Sequence, residues 1–197
     1  RSNACGQSWG WLKQELYRER SHFRSHNRKQ YLSSMGDWVE QEPTMNVLIM
    51  RGIPGSGKST WVKKAISEAE PGAVTAICSA DNFHMVDGEY TYNPKKAAIA
   101  HQVCLCGFMN AILANKNNQQ YTIFVDNTNT TAVEIAPYYR LAEAYDLPVK
   151  IVRVCCDLQT AMNRGVHGVP ESTVFNMWQN LNSETLPPYW KEEFVWS

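Results

Sequence analysis

Apolar residues recur along this chain with the two periods that distinguish strands from helices. Short apolar runs predict buried strands, and apolar positions three and four apart predict helices. From Met45 onward the two kinds of segment alternate, which predicts a largely parallel sheet with crossover helices. The predicted strands cover residues 46–50, 73–79, 121–126 and 148–156. The predicted helices cover residues 59–70, 93–114, 133–145, 157–163 and 170–182; residues 80–91 are predicted to be a polar loop, and an extended aromatic tail occupies residues 186–196.

Residues 1–44 follow a different pattern, and we assign them to an N-terminal helical extension and linker before a domain at residues 45–197. Trp11, Leu16 and Phe23 fall roughly on one helical face, which predicts a helix at about residues 8–25. Its polar side carries more Lys and Arg than Glu. Two interpretations stay open: a helix docked on the domain with its charges in water, or a basic arm that touches nucleic-acid phosphates. Residues 1–4 resemble a tag remnant and are excluded from the fold reasoning.

One loop carries the strongest chemical signal. Its sequence, G-I-P-G-S-G-K-S, fits the phosphate-binding motif G-x-x-x-x-G-K-[ST] and lies between a predicted strand and a predicted helix, as the motif requires. A glycine-rich backbone can turn its N–H groups onto phosphate oxygens at the positive end of the helix. Lys58 is expected at the β- and γ-phosphates, and the Ser59 hydroxyl at Mg²⁺. The predicted ATP-binding residues are Gly52, Ile53, Pro54, Gly55, Ser56, Gly57, Lys58, Ser59 and Thr60.

Further candidates follow the predicted strands, because ligands of open parallel sheets bind beyond the carboxyl ends of the strands. Asp81 is the first carboxylate after the second strand, and we predict that it is the general base for an attacking hydroxyl. A role in capping a turn suits the same residue type. Asp126 follows the third strand and is a candidate Mg²⁺ ligand together with Ser59. Asn127 and Thr128, with Asn129, are either donors to an acceptor or parts of a hydrogen-bonded turn.

A second glycine-containing segment follows a short predicted helix. Arg164 precedes Gly165 and Gly168, which could hinge a lid at about residues 158–182 and bring the guanidinium to the γ-phosphate. The alternative is a surface arginine that stabilises a helix C-terminus. His167 in this segment is either a phosphate contact or merely exposed. His101, on an apolar helical stripe, is expected in the core, and a structural role is expected for Arg51.

Length, charge and cysteine content narrow the picture further. A chain of 197 residues suits one domain with an appendage, and a net charge of zero excludes a global polyelectrolyte but leaves room for a local basic groove. The six cysteines form no C-x-x-C pair, so we expect reduced thiols and an intracellular, reducing compartment, the cytoplasm in preference to the nucleus. No zinc-ligand spacing is present. We also see no apolar run of about 18 residues and no secretion signal, and therefore expect no membrane association.

Four motifs in this order resemble the P-loop polynucleotide 5′-hydroxyl kinase family: residues 50–60, 79–81, 125–129 and 164–170. The resemblance implies an adenylate-kinase-like α/β P-loop NTPase fold, a three-layer sandwich with a largely parallel sheet. It also implies ATP and Mg²⁺ as cofactors and the 5′-OH ends of RNA or DNA as acceptor. By the same resemblance, Asp81 is the general base, Arg164 acts on the transferred phosphoryl group, and Thr128 contacts an acceptor phosphate.

The chain departs from that family at three positions. His84 stands where the family has an arginine for the acceptor phosphate, Thr160 replaces a second lid arginine, and Asn127 replaces an aspartate. The leading hypothesis is therefore an ATP-dependent polynucleotide 5′-kinase. Two alternatives stay open: a small-molecule or nucleotide-sugar kinase of the same superfamily, and a non-catalytic ATP-binding adaptor. The predicted acceptor-binding residues are His84, Asn127, Thr128 and His167.

Overall fold

The structure is a computed structural model that describes residues 46–115, 121–165 and 168–197. The predicted N-terminal extension, its helix and His167 lie outside the described residues, so those expectations stay predictions.

The described residues form a parallel sheet with β1 at its centre. Val47 of β1 lies opposite Ile123 on one side and Val149 on the other, and all four strand pairings of this sheet are parallel. The order across the sheet is β2-β5-β1-β6-β7, and β3 and β4 form a separate hairpin. The described strands are β1 (Asn46–Arg51), β2 (Val74–Cys78), β3 (Met85–Val86), β4 (Glu89–Tyr90), β5 (Tyr121–Val125), β6 (Val149–Cys155) and β7 (Glu192–Trp196).

Helices connect the strands and cover the sheet on both faces. Short 3-10 helices at Ala80–His84 and Pro94–Lys96 precede the second of these crossovers. The described α-helices are α1 (Lys58–Ser67), α2 (Ala97–Asn115), α3 (Ala132–Ala144), α4 (Leu158–Arg164) and α5 (Glu171–Ser183).

Alternate strand residues point to two separate cores. Ile49 and Ile123 belong to the core that α2 and α3 cover, whereas Met50, Phe124 and Val152 pack against α1. This is the period-two alternation of strands. Because both faces of the sheet are covered by helices, the predicted three-layer α/β P-loop fold is confirmed.

Two segments differ from the sequence-based prediction. The C-terminal tail is more than extended, because β7 pairs with β6 at the edge of the sheet, with Glu192 opposite Ile151. The predicted polar loop at residues 80–91 contains a 3-10 helix and the β3–β4 hairpin. Both segments are short and largely exposed, so hydrophobic periodicity gives little warning of them.

Helix α2 buries most of the expected stripe, including Cys104, Phe108 and Ile112, but differs from it near the start of the helix. Ala100, Cys104 and Phe108 are buried at i, i+4 spacing, whereas His101 is exposed, so the prediction that His101 lies in the core is wrong. The helical segment Pro94–Asn115 is also long and apolar enough, by length and composition, to cross a membrane, with a mean hydropathy of 1.6. We had expected no such run, but one such helix is weak evidence because core helices pass the same test.

Candidate active site

The phosphate loop joins β1 to α1 and is held tightly by its neighbours. The Gly52 N–H donates to the Thr128 carbonyl over 2.9 Å. Gly55 has a φ of 78°, and a Cβ atom there would clash with the Ala161 carbonyl oxygen of α4. A Cβ atom on Gly52 would lie 2.9 Å from the Val154 carbonyl oxygen. The loop therefore needs glycine both for its backbone conformation and for close packing.

Lys58 lies at the start of α1 with its side chain folded over the loop. Its Nζ donates to the carbonyl oxygens of Gly52 (3.1 Å) and Ile53 (2.9 Å). Burial lowers the pKa of Lys58 to about 8, although the carboxylates of Asp126 and Asp81 act in the opposite direction. The structure thus brings the loop lysine within electrostatic reach of two carboxylates that are distant in sequence.

Asp126 follows β5 and is the one buried Asp or Glu among the described residues. Only 9% of it is exposed, and its backbone N–H donates to the Cys78 carbonyl over 2.9 Å. Within the described part of the chain, Asp126 Oδ1 and Ser56 Oγ are buried without a hydrogen-bond partner. A buried, unpartnered carboxylate oxygen is costly unless a ligand satisfies it. It fits a hard cation such as Mg²⁺, which is commonly held by one or two carboxylates and by substrate phosphates.

Asp81 lies in the 3-10 helix that follows β2, at the same edge of the sheet. The Ser79 hydroxyl accepts from the Asp81 N–H over 3.3 Å, so Ser79 caps this helix. The Asp81 carboxylate is left exposed and accepts one hydrogen bond, from the Tyr90 hydroxyl over 3.0 Å. Its position suits a base that must reach an acceptor from solvent. Sequence reasoning missed Tyr90, which the Asp87-Gly88 turn signal could have placed in a hairpin.

Asn127 does not face the cleft. Its Oδ1 accepts from the Ala80 N–H over 2.9 Å, and its Nδ2 donates to the Tyr138 hydroxyl (3.3 Å) and to Cys104 Sγ (3.5 Å). Only 7% of the residue is exposed. The prediction that Asn127 binds the acceptor is therefore corrected: its amide is used inside the protein, where it holds the 3-10 helix that carries Asp81.

Asn129 holds the other side of the same turn. Its Nδ2 donates to the Met50 carbonyl over 2.7 Å, and its own carbonyl accepts from Arg51 Nε over 3.3 Å. Arg51 is 1% exposed and forms an ion pair with Glu192 of β7 at 2.6 Å, in agreement with the expected structural role. The half-buried Thr128 makes no side-chain hydrogen bond among the described residues, so its hydroxyl stays a candidate for the acceptor.

His84 is also placed differently from its predicted role. Only 4% of it is exposed, and its ring lies between the rings of Phe83, Tyr90 and Tyr92, with centroid distances of 5.6, 6.0 and 5.0 Å. A ring enclosed in this way does not present its nitrogens to a phosphate in solvent. The prediction that His84 binds the acceptor is therefore replaced by a role in packing the β3–β4 hairpin.

Arg164, in the last turn of α4, lies over the phosphate loop. Its Nη1 donates to the Gly55 carbonyl (2.9 Å) and to the Ser197 hydroxyl (3.3 Å). Gly165 ends the helix with a φ of 52°. Thr160, by contrast, donates to Asp157 at the start of α4 and brings no charge to the cleft. Arg164 thus contacts the phosphate loop, and the lid and its catalytic role stay predictions.

The geometry agrees with comparisons to known proteins. A family model described as an AAA domain matches residues 47–167. The chain belongs to this AAA-domain family. NEDD4-binding protein 2 of Homo sapiens is 30% identical over 103 residues, which are 52% of this chain and 5% of that protein. The chain therefore spans only a small part of the length of that relative.

Two solved structures show the same fold. A chain of the Pnkp1/Rnl/Hen1 RNA repair complex matches with a TM-score of 0.56 at 16% identity, over 73% of this chain and 46% of that one. A sugar kinase from Janibacter sp. HTCC2649 matches with a TM-score of 0.53 at 20% identity, over 78% and 86% of the two chains. At these identities the matches show a shared fold, and that fold agrees with the resemblance read from the sequence motifs. One of these proteins is described as part of an RNA repair complex and the other as a sugar kinase, so the shared fold does not identify a substrate.

Proposed function

We propose that this protein is an ATP-dependent polynucleotide 5′-hydroxyl kinase. The observation that carries the proposal is the position of Asp81, an exposed carboxylate at the same sheet edge as the phosphate loop. Asp81 is close enough to Lys58 to influence its pKa. Its carboxylate does not cap its own helix, because the Ser79 hydroxyl does so. The likeness to the RNA repair complex and the four motifs support a nucleic-acid end as acceptor.

In the proposed reaction the donor and the acceptor meet between the loop and Asp81. The Asp81 carboxylate takes the proton of the 5′-hydroxyl as its oxygen forms a bond to the γ-phosphorus of ATP. The bond between that phosphorus and the β,γ-bridging oxygen breaks, and ADP leaves with the electron pair. Lys58 and Arg164 lie on the donor side, where negative charge moves during the transfer.

A magnesium ion fits the donor side. Asp126, with its unpartnered Oδ1, and Ser59, at the start of α1, would hold it. When bound, Mg²⁺ neutralises phosphate charge and orients the β- and γ-phosphates. The chain's own contribution is the fixed loop, because the main-chain contacts of Gly52 and Gly55 set the direction of the neighbouring N–H groups.

The test is phosphate transfer from γ-labelled ATP to RNA and DNA oligonucleotides that carry a 5′-OH. We expect labelling by the parent, and a loss of at least about 10²-fold in Asp81→Ala, because general-base catalysis contributes about that much. The ATP affinity of Asp81→Ala should stay within about twofold of the parent. Lys58→Ala should lose both ATP affinity and phosphate transfer. Glu171→Ala, which removes an exposed carboxylate of α5, is the matched control. Turnover of Asp81→Ala near the parent rate would remove the assigned base.

A second candidate, a small-molecule kinase, is favoured by one observation. His84 is buried where the related kinases carry an arginine for the acceptor phosphate, and the sugar kinase match shows that the fold serves other acceptors. The same assay should therefore include a panel of sugars and nucleosides. Transfer to a metabolite without transfer to oligonucleotides would favour this candidate, and ATP binding without any transfer would favour an adaptor.

A further inference from the structure

The β3–β4 hairpin folds back over the helix that carries the candidate base. Its turn, Asp87-Gly88, has φ values of 52° and 86°, the left-handed pair that a two-residue type I′ turn needs. The Thr91 N–H donates to the His84 carbonyl over 2.8 Å, which ties the end of the hairpin to the 3-10 helix. The hairpin is therefore packed against the 3-10 helix that carries Asp81. Asp81 precedes the first residue of β3 by four positions.

Tyr90 at the end of this hairpin contacts the base directly. Its hydroxyl donates to Asp81 Oδ1 over 3.0 Å, and its ring meets His84 edge-on at a centroid distance of 6.0 Å. His84 is almost fully buried, so it fixes the ring on one side. Burial, followed by the charge of Asp81, raises the pKa of the Tyr90 phenol, which therefore stays a protonated donor at neutral pH.

We propose that Tyr90 is a positioning residue for Asp81. This inference rests on the proposed function, because it gives Asp81 the role of the base. The phenol fixes one carboxylate oxygen, Oδ1, which restricts the rotation of the carboxylate and leaves Oδ2 for the acceptor hydroxyl.

Charged and titratable groups reach Asp81 from two elements among the described residues. Tyr90 contacts it from β4, and Lys58 acts on it through space from α1. His84 and Tyr92 lie behind Tyr90 and meet each other at a ring-centroid distance of 5.0 Å. Removal of the Tyr90 hydroxyl leaves the Lys58 interaction in place, so the variant isolates the hydrogen bond.

The kinetic test compares Tyr90→Phe with the parent and with Tyr92→Phe, which removes a neighbouring hydroxyl of the same aromatic cluster. In Tyr90→Phe we expect kcat to fall about tenfold while the KM for ATP stays the same, because the carboxylate loses the hydrogen bond that holds it in one orientation. Tyr92→Phe should keep the parent kcat. An unchanged kcat in Tyr90→Phe would overturn the proposal.

A second measurement needs no acceptor and therefore separates this inference from the proposed function. In protein labelled with ¹³C at tyrosine Cζ, the Tyr90 resonance, assigned with Tyr90→Phe, should shift in Asp81→Asn, and the Tyr92 resonance should shift much less. An unchanged Tyr90 resonance refutes the hydrogen bond and the positioning role with it. A shifted resonance in a protein that labels no oligonucleotide supports the contact and refutes the polynucleotide kinase proposal instead.

Discussion

Raising the pH from 7 to 9 should weaken ATP binding through Lys58. Burial lowers the pKa of this ammonium group to about 8, so the charge that we predict to contact the β- and γ-phosphates is lost within that range. The affinity for ATP should fall as the pH rises, because the protonated lysine is the form that binds the phosphates. Above the pKa of Lys58, less of the protein carries that proton. The phosphates contribute little to this change, since a last ionisation near pH 6 leaves them about 90% ionised already at pH 7.

The size of the effect follows from the pKa of about 8. If only the protonated lysine binds, the apparent Kd increases by a factor of one plus ten to the power of pH minus pKa. That factor is about 1.1 at pH 7, about 2 at pH 8 and about 11 at pH 9, so the affinity should fall about tenfold between the two extremes. Bound phosphate favours the protonated lysine. At pH 8 about half of the free protein has a neutral Lys58, so the protein should take up about half a proton for each ATP that binds.

Isothermal titration calorimetry in two buffers with different ionisation enthalpies measures both quantities. The parent should show the tenfold loss and the proton uptake, and Lys64→Ala, which removes an exposed lysine of the same helix, should reproduce both. Lys58→Met should bind ATP weakly with no dependence on pH in this range. A parent affinity that is constant from pH 7 to 9, with no proton uptake, would refute the burial argument for Lys58.

Two further predictions concern the framework of the site. Glu192→Ala should lower the free energy of unfolding by about 3 kcal/mol, because it leaves Arg51 buried without its ion pair, whereas Glu193→Ala, at an exposed pair, should change it by less than about 1 kcal/mol. Urea unfolding measures both, and equal losses would contradict the argument. Gly55→Ala should lose at least about tenfold in ATP affinity, because a left-handed φ and a backbone carbonyl oppose the new Cβ atom. Gly107→Ala, a helical glycine with no neighbour within 4 Å, should keep the affinity and gain about 0.5–1 kcal/mol of stability in the same unfolding assay; a binding loss there would show that the assay reports general damage.

The sequence was most informative where periodicity and a rigid motif act together. The alternation of apolar positions predicts four strands of the parallel sheet, and the sequence motif places the phosphate loop between β1 and α1, as the structure has it. Both depend on local patterns that packing then reinforces. The fifth strand, β7, was missed because it lies at the edge of the sheet, where two glutamates, Glu192 and Glu193, open the strand and Phe194 is exposed.

Side-chain direction in the site was harder to predict, because it depends on contacts between elements distant in sequence. His101 was expected inside, yet a turn of the α2 stripe by one residue puts it in water. His84 was expected to meet the acceptor, yet three aromatic rings of its own segment enclose it. In each case the residue type was compatible with both locations, and the packing of neighbouring elements decided between them.

The turn after β5 shows how one short segment can serve both sides of the proposed reaction. Asn127 holds the Ala80 N–H, and so the helix of Asp81, whereas Asn129 holds the Met50 carbonyl at the end of β1, where the phosphate loop begins. The two residues between and before them, Thr128 and Asp126, keep side-chain oxygens without protein partners in the described part of the chain. Alternate residues therefore do different work: two asparagines fix the distance between base and loop, and two oxygen-bearing side chains face possible ligands. A position at the carboxyl end of a strand suits both roles, and the hydrogen bonds of Asn127 to Ala80 and Tyr138 decide for the turn, which explains why the acceptor prediction failed at Asn127.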